Sequence, residues 1–259
     1  MLGLFDSGLG GLTVLRRVRE ALPLHDMLFF ADQAHVPYGD RTPADLLRLV
    51  QQNLAWLDAE GAAAIVMACN STCATASEFG WPHTSAPILN LIESAAIAVE
   101  RGRFKKIGVV ATAATARSGA YKRHIQAHLP GTEVIEIGAP ALVPLVEAGK
   151  LHGNEPAQAV EQACAPLHGF VDAVLLGCTH YPLLLEHFQN QFADEAPVID
   201  PAIVQAERTA EMVERLEIPA GSGKIVCTTS GDVVTFEASL RSLIGDLGPV
   251  VRYLEPAEG

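Results

Sequence analysis

Short apolar runs alternate with stretches of helical periodicity along almost the whole chain of 259 residues. Such runs are typical of strands buried on both faces of a parallel sheet, and the amphipathic stretches between them are typical of crossover helices. The pattern therefore predicts an α/β fold in which mainly parallel sheets are flanked by helices. The predicted strands span residues 2–5, 27–31, 63–68, 87–91, 105–111, 134–138, 173–176, 197–199, 225–229 and 250–254.

Helical patterns follow most of these strands. One of them carries clear start signals, with Thr42 as N-cap residue and Pro43 in the first turn, and Gly61 ends it. A loop is predicted for residues 32–41. The other predicted helices span residues 12–22, 118–129, 140–148, 155–167, 203–216 and 233–243, and two more begin after Cys69 and at Tyr181.

The pattern at the start of the chain recurs in its second half. Residues 107–112 resemble residues 2–7, which lie 105 positions earlier. Cys178 follows an apolar run as Cys69 does, at a separation of 109 positions. Solenoid repeats have much shorter periods of about 20–50 residues, so the recurrence predicts an internal duplication into two domains.

Polar or reactive side chains stand at the exits of four predicted strands. In open α/β sheets, ligands bind outside the carboxyl ends of the strands. We therefore expect these four residues to face a common ligand site. They are Asp6, Cys69, Thr112 and Cys178.

The turn after the first strand reads DSGLGG from Asp6 to Gly11. Its glycines let the backbone approach a ligand closely, and the start of the next helix directs amides toward it. The turn is not a dinucleotide-binding fingerprint, because Thr13 stands where a third glycine is required. Taken alone, the segment is equally compatible with a tight strand-to-helix turn.

Two of the five cysteines differ from the rest in their position. Cys69 and Cys178 each stand at the start of a predicted helix and are followed by polar residues. The amides of a helix N-terminus stabilise a thiolate, so we predict that both thiols are reactive. Cys73, Cys164 and Cys227 are predicted to pack as small apolar side chains.

Several chemistries use thiols, and most of them fit this chain poorly. Nothing indicates the oxidising compartment that a disulfide needs, and a redox pair would more naturally be Cys-x-x-Cys, which is absent. Zinc would need further ligands, and the spacing of His35 and His180 is not a metal signature. Acyl transfer would leave one thiol unexplained. Two opposed thiols suit the removal of a proton from one face of an acidic carbon and the return of a proton to the other face, which is racemisation or epimerisation.

Charge and hydropathy limit the partners of the protein. The formal net charge is −12, which argues against a surface for nucleic acid or for an anionic membrane. No apolar run approaches the roughly 18 residues of a membrane span. We therefore expect a cytoplasmic protein with reduced thiols, no membrane partner and no direct nucleic-acid partner.

Six short segments carry a more specific signal when they are taken together. They read DSGLGG (6–11), VPYG (36–39), ACNS (68–71), VPLVE (143–147), GCTHYP (177–182) and TSGD (229–232). Each segment alone is weak, but the set covers nearly the whole chain in order. This set resembles the glutamate racemases, which belong to the cofactor-independent amino-acid racemases.

The resemblance implies two pseudosymmetric α/β domains with the active site in the cleft between them. The first domain would comprise residues 1–93 and 207–259, and the second would comprise residues 94–206. The implied activity is the interconversion of L- and D-glutamate without a cofactor or a metal ion, which supplies D-glutamate for peptidoglycan.

The resemblance also implies roles for individual residues. Cys69 and Cys178 would be the two acid/base groups, one removing the α-proton and the other delivering a proton. Asp6 would assist Cys69, whereas Glu147 and His180 would assist Cys178. The amino acid would be held by Asp6, Ser7, Tyr38, Gly39, Asn70, Ser71, Thr112, Thr179 and His180.

Some residues depart from the family pattern, and some alternatives stay open. Ser71 stands where the family usually has threonine, and a hydroxyl remains. Gln33, Asn90 and Ser94 also depart from it and are expected near the cleft. The alternatives are a racemase of another amino acid such as aspartate, and a racemase with an added gyrase-binding regulatory role. A pyridoxal enzyme fits less well, since no lysine lies in a motif-bearing turn. A homodimer is the expected alternative to a monomer.

Overall fold

The computed structural model describes residues 1–244 and 250–255, and this part of the chain contains two parallel sheets. Every pair of neighbouring strands runs parallel. The predicted α/β class is therefore confirmed. The strands are β1 (Leu2–Asp6), β2 (Met27–Ala31), β3 (Ala64–Met67), β4 (Ile88–Asn90), β5 (Lys106–Ala111), β6 (Glu133–Gly138), β7 (Ala173–Gly177), β8 (Val198–Ile199), β9 (Ile225–Thr229) and β10 (Val250–Tyr253).

Helices connect the strands and cover the sheets. They are α1 (Leu12–Ala21), α2 (Pro43–Ala59), α3 (Asn70–Phe79), α4 (Leu91–Gly102), α5 (Ala113–Ser118), α6 (Ala120–His128), α7 (Leu142–Glu147), α8 (Asn154–Cys164), α9 (Leu185–Phe192), α10 (Pro201–Arg215) and α11 (Val233–Ile244). The predicted cap of α2 is present, because Thr42 Oγ1 accepts a hydrogen bond from the Asp45 amide at 3.2 Å. Among the described residues, no helix combines the length and the apolar character that crossing a membrane requires.

The two sheets repeat one strand order. The first sheet runs β10-β9-β2-β1-β3-β4 and the second runs β6-β5-β7-β8, so the order 2-1-3-4 corresponds to the order 6-5-7-8. Phe5 pairs with Met67 in the first sheet, and Ala111 pairs with Gly177 in the second. The exits of β3 and β7 are thus equivalent, as the recurring sequence pattern predicts. Strands β9 and β10 extend the first sheet only.

A continuous helical layer links the two sheets. Helix α10 packs against α1 and α4, and α4 also packs against α6, which connects two strands of the second sheet. Helix α1 buries Leu12, Leu15 and Val18, which are spaced as one helical face. This layer holds the exits of both sheets in a fixed relation.

Several details differ from the sequence-based prediction. Helices α4 and α5 were not predicted. The helix predicted at 118–129 corresponds to α6, and Gly119, in a left-handed conformation with φ of 66°, separates it from α5. The segment predicted as a loop at 32–41 contains two short 3₁₀ turns, Gln33–His35 and Tyr38–Asp40.

Both boundaries of the predicted domains fall inside helices. The boundary at 93/94 lies in α4, and the boundary at 206/207 lies in α10. These two helices pack against each other. The division into residues 1–93 with 207–259 and residues 94–206 remains a prediction.

The side chain of Tyr181 connects the turn after β7 to its neighbours. It is fully buried, and its hydroxyl donates to the carbonyl oxygens of Ala111 at 3.1 Å and of Ala139 at 3.0 Å. The hydroxyl therefore fixes the segment that follows Cys178 to the ends of β5 and β6.

The substitution Tyr181→Phe should lower the free energy of unfolding by about 1–2 kcal/mol, because it removes these hydrogen bonds and keeps the ring. Urea denaturation followed by circular dichroism measures this change. Tyr253→Phe is the matched control, since Tyr253 is 57% exposed, and it should change stability by less than about 0.5 kcal/mol. Equal stability of the two variants would show that the buried hydroxyl contributes nothing.

Candidate active site

One cavity of about 390 Å³ opens where strand exits of both sheets face each other. It is within the size range of small-molecule sites, which is about 300–1,000 Å³. All the residues predicted for the site contribute to its wall, so the structure brings them together. They are Asp6, Ser7, Tyr38, Gly39, Cys69, Asn70, Ser71, Thr112, Glu147, Cys178, Thr179 and His180.

Cys69 enters the cavity from the first sheet. It is the N-cap residue of α3, is 4% exposed, and places its sulfur 3.5 Å from Ser7 Oγ. Burial, and then the negative charge of Asp6, raise the pKa of Cys69 to about 12. The helix start does not keep this thiol ionised. Desolvation outweighs the helix N-terminus, and Cys69 is a neutral thiol at pH 7.

Asp6 lies at the end of β1 beside this thiol. The amide of Gly11 donates to Asp6 Oδ2 at 2.6 Å. Burial raises the pKa of Asp6 to about 6, although the charge of His180 and the amides of Gly11, Ser7 and Gly8 counteract the rise. Only glycine fits at Gly11, because a Cβ there would collide with Asp6 Cβ. Asp6 is thus a carboxyl group that titrates near neutral pH.

Cys178 enters the cavity from the second sheet and has different neighbours. His180 Nδ1 lies 3.7 Å from Cys178 Sγ, and His180 Nε2 lies 2.5 Å from Glu147 Oε1. Burial alone would lower the pKa of His180, but hydrogen bonds and negative charge from Cys178 and Glu147 outweigh it and raise the pKa to about 10. His180 is therefore an imidazolium at neutral pH, linked to a carboxylate on one side and to a sulfur on the other.

The turn that carries Cys178 is not the predicted helix start. After β7 the chain makes a turn, and a 3₁₀ segment, Tyr181–Leu184, precedes helix α9. Cys178 has no helix N-terminus behind it, so the two thiols differ in their backbone setting. The nearest compensating positive charge at Cys178 comes from the side chain of His180.

Gly10 lies at one of the contacts between the two halves of the cavity. A Cβ on Gly10 would lie 2.6 Å from His180 Nδ1 and would collide with Thr179 Oγ1. Thr13 Oγ1 also donates to the carbonyl oxygen of Thr179 at 3.1 Å. The glycine-rich turn predicted as a ligand loop therefore also forms the contact between the first and the second sheet.

Tyr38 lines the cavity with its ring, while its hydroxyl is bonded elsewhere. The hydroxyl donates to Asp32 Oδ2 at 2.5 Å and accepts from Asn53 Nδ2 at 3.0 Å. Asp32 also accepts from Ser230 Oγ and pairs with His35 Nδ1, both at 2.8 Å. Burial and the Asp32 charge raise the pKa of Tyr38 far above its usual value. We call Asp32, His35, Tyr38, Asn53 and Ser230 the Asp32 cluster.

Sequence reasoning missed the Asp32 cluster, although a signal was present. Asp32 directly follows β2, as Asp6 terminates β1, so Asp32 is also an acidic residue at a strand exit. Four apolar wall residues were also absent from the predicted site, although two of the recognised segments contain them. They are Val36, Pro37, Val143 and Pro144.

Neutral polar groups complete the wall. Asn70 is 4% exposed and accepts from Tyr121 Oη at 2.5 Å, whereas its Nδ2 has no partner among the described residues. Thr112 Oγ1 lies 3.0 Å from Thr115 Oγ1, which lies 3.5 Å from Ser71 Oγ. The described wall contains no lysine and no arginine. An anionic ligand would therefore be held by hydroxyl and amide donors.

Several other predicted residues lie outside the cavity. Cys73, Cys164 and Cys227 are fully buried and do not line it, as predicted for packing residues. Three departures from the family pattern, which are expected near the cleft, are not among the wall residues, and their place near the cleft stays a prediction. These residues are Gln33, Asn90 and Ser94.

Within residues 1–244 and 250–255, no group of three or more His, Cys, Asp or Glu side chains has an arrangement that could hold a metal ion. His35, one of the two histidines considered from the sequence, bonds to Asp32. The other, His180, bonds to Glu147.

Comparison with known proteins gives a consistent family. The family model described as Asp/Glu/Hydantoin racemase matches residues 12–209. A glutamate racemase of Gloeobacter violaceus is 41% identical over 240 residues, which are 91% of this chain and 89% of that protein.

Solved structures agree with this match. A glutamate racemase isoform from Bacillus anthracis superposes with a TM-score of 0.93 at 27% identity, covering 100% of this chain and 98% of that chain. The glutamate racemase of Francisella tularensis, solved in complex with D-glutamate, has the same fold, with a TM-score of 0.87 at 24% identity and coverage of 98% and 96%. The chain belongs to the Asp/Glu/hydantoin racemase family of isomerases.

Proposed function

We propose that this chain is a glutamate racemase, which interconverts L- and D-glutamate by a two-cysteine mechanism without a cofactor. The observation that carries the proposal is the entry of Cys69 and Cys178 into one cavity from equivalent strand exits of two sheets. The names of relatives such as the Gloeobacter protein support glutamate as the substrate. The physiological role would be the supply of D-glutamate for peptidoglycan, in the reducing cytoplasm that free thiols require.

On the side of the cavity formed by the second sheet, Cys178 supplies the base in the resting enzyme. The imidazolium of His180 lies next to Cys178 and compensates the charge of a thiolate there. Glu147 holds the imidazole from its other side and maintains its positive charge. A sulfur anion with a fixed counter-charge can accept the α-proton of an amino acid in the cavity.

On the side of the cavity formed by the first sheet, Cys69 supplies the acid. Cys69 keeps its proton because it is buried beside Asp6. When Cys178 takes the α-proton, the α-carbon becomes a planar carbanion, and Cys69 gives its proton to the opposite face. One C–H bond breaks and one forms, so the product is the other enantiomer, with Cys178 now a thiol and Cys69 a thiolate. The reverse reaction runs through the same steps with the roles exchanged.

Proton return resets the enzyme after each turnover. Cys69 lies near the Asp6 carboxyl, which titrates near neutral pH, and Cys178 lies near the His180–Glu147 pair. Asp6, whose pKa is raised to about 6, and His180, whose pKa is raised to about 10, can move protons between the thiols and water. The ionised form of Asp6 would be the active one, because Cys69 must give its proton to Asp6 before it can act as the base in the reverse reaction.

Neutral donors would bind the substrate carboxylates. Asn70 Nδ2, Ser71, Thr112 and Thr179 face the cavity, and they stabilise negative charge without a lysine or an arginine. Such donors are fixed in a buried site, and they stabilise the enediolate character of the carbanion as charge moves onto the α-carboxylate.

Replacing either catalytic thiol tests the mechanism. Cys69→Ala and Cys178→Ala should each lower kcat/KM for both enantiomers by about a thousandfold or more, because each removes a proton donor or acceptor. Racemisation followed by circular dichroism, and deuterium incorporation at the α-carbon in heavy water, measure the loss. Cys227→Ala and Cys164→Ala are matched controls in the two cores and should keep their activity. Full racemisation by either cavity variant would exclude the two-base mechanism.

The pH dependence tests Asp6. Since the pKa of Asp6 is raised to about 6, kcat/KM should fall as the pH decreases through about 6 and the carboxylate takes up a proton. Asp6→Asn keeps an acceptor for the Gly11 amide, and it should lose this acid limb together with about a hundredfold of activity. Profiles of kcat/KM measure both effects, and Glu20→Gln, an exposed carboxylate of α1, is the control. An unchanged acid limb in Asp6→Asn would assign the titration to another group.

Substrate choice is tested by comparing amino acids. Glutamate should exceed aspartate in kcat/KM by about tenfold or more, because a shorter side chain cannot reach the same donors, and one methylene is worth about 1–3 kcal/mol. A panel of L-amino acids, each assayed for formation of the D-enantiomer, measures this ratio. A clear preference for aspartate would replace the proposed substrate and leave the family membership unchanged.

A further inference from the structure

Tyr121 reaches the cavity wall from the other half of the molecule. It lies on α6, is fully buried, and its hydroxyl bonds to Asn70 Oδ1 at 2.5 Å. Asn70 is the first residue of α3, directly after Cys69. One hydrogen bond thus connects a helix that covers the second sheet to a wall residue that follows the first sheet.

The direction of this hydrogen bond follows from the state of the phenol. Burial raises the pKa of Tyr121 well above its usual value. The hydroxyl therefore keeps its proton at every working pH and needs an acceptor. Its partner in the structure is the oxygen of the Asn70 carboxamide, and this contact decides which end of the amide faces Tyr121.

The other end of the amide is then left for a ligand. Asn70 Nδ2 is buried and has no hydrogen-bond partner among the described residues, and Asn70 lines the cavity. A buried donor without a partner is costly unless something accepts from it. The chemical partner that fits is an acceptor oxygen, and the substrate of the proposed reaction carries two carboxylates.

We infer that Tyr121 is a positioning residue for the racemase reaction, since it orients the Asn70 carboxamide so that Nδ2 donates to a substrate carboxylate. The opposite orientation would turn Oδ1 toward the carboxylate and repel it. The inference rests on the proposed function, because it needs an amino acid in the cavity. It also makes the orientation of Asn70 depend on contact between α6 and α3.

Tyr121→Phe removes the hydroxyl and keeps the ring. In this variant the bound substrate can still draw Nδ2 toward it, but Oδ1 is then buried without its donor. We expect kcat/KM to fall by about tenfold, which corresponds to about 1.4 kcal/mol. Asn70→Ala removes the amide and should lower kcat/KM at least as much.

A double-mutant cycle separates positioning from a general structural effect. If Tyr121 acts through Asn70, Tyr121→Phe should change kcat/KM by less than about twofold in the Asn70→Ala background. An undiminished tenfold loss in that background would overturn the inference, as would the absence of a loss in the wild-type background.

Folding is checked in the same series. Thr209→Val is the matched control, because Thr209 is fully buried and its hydroxyl donates to the carbonyl oxygen of Gln205 at 2.7 Å, away from the cavity wall. It should lower the melting temperature about as much as Tyr121→Phe does and leave kcat/KM unchanged. An equal loss of kcat/KM in Thr209→Val would mean that any buried hydroxyl matters, and would reject a specific role for Tyr121.

Failure of this inference can be told apart from failure of the proposed function. The cycle is measured with the amino acid that the wild-type enzyme racemises best. If that amino acid is aspartate, the proposed substrate is wrong, while the cycle still reports on Tyr121 and Asn70, since aspartate also carries two carboxylates. If the wild-type enzyme racemises neither amino acid, both the proposed function and the inference are overturned.

Discussion

The site depends on the cost of holding several ionisable groups in one buried space. Asp6, Cys69, Cys178 and His180 are buried side chains that line one cavity together with the more exposed Glu147, and each uncompensated buried charge is expensive. The two sides of the cavity reduce the free-energy cost of these charges in different ways. On the first-sheet side burial keeps Cys69 neutral, and on the second-sheet side an imidazolium is enclosed between a carboxylate and a sulfur. The two sides of the cavity therefore differ in their charges, although each carries a cysteine.

The two similar sheets thus place their cysteines in different environments. The strand orders of the two sheets correspond, and β3 and β7 deliver their cysteines at equivalent exits. The chain then diverges, since Cys69 begins an α-helix whereas Cys178 is followed by a turn and a 3₁₀ segment. The duplication brings two thiols to one cavity, and the divergence after each strand gives them different neighbours.

The elements near the site were largely predictable from the sequence, because short buried strands and polar exits leave a strong pattern. Strand β2 was predicted with its observed bounds, and the residues at the exits meet in one cavity. The thiol ionisation of Cys69 was not predictable, since desolvation depends on how all the surrounding elements pack. The direction of the Tyr38 hydroxyl was not predictable either. Its partner Asp32 is held by a hydrogen bond from Ser230, which lies 198 positions away along the chain.

The Asp32 cluster ties the wall of the cavity to a late part of the chain. Strand β9 inserts beside β2, and Ser230 at its exit donates to Asp32, which in turn holds Tyr38. During synthesis on the ribosome, the early residues that form Tyr38 and Gly39 emerge long before β9 exists. The nascent chain can already carry both thiols and yet have an unfinished wall. The wall of the cavity is therefore complete only after β9 has been synthesised and has paired with β2.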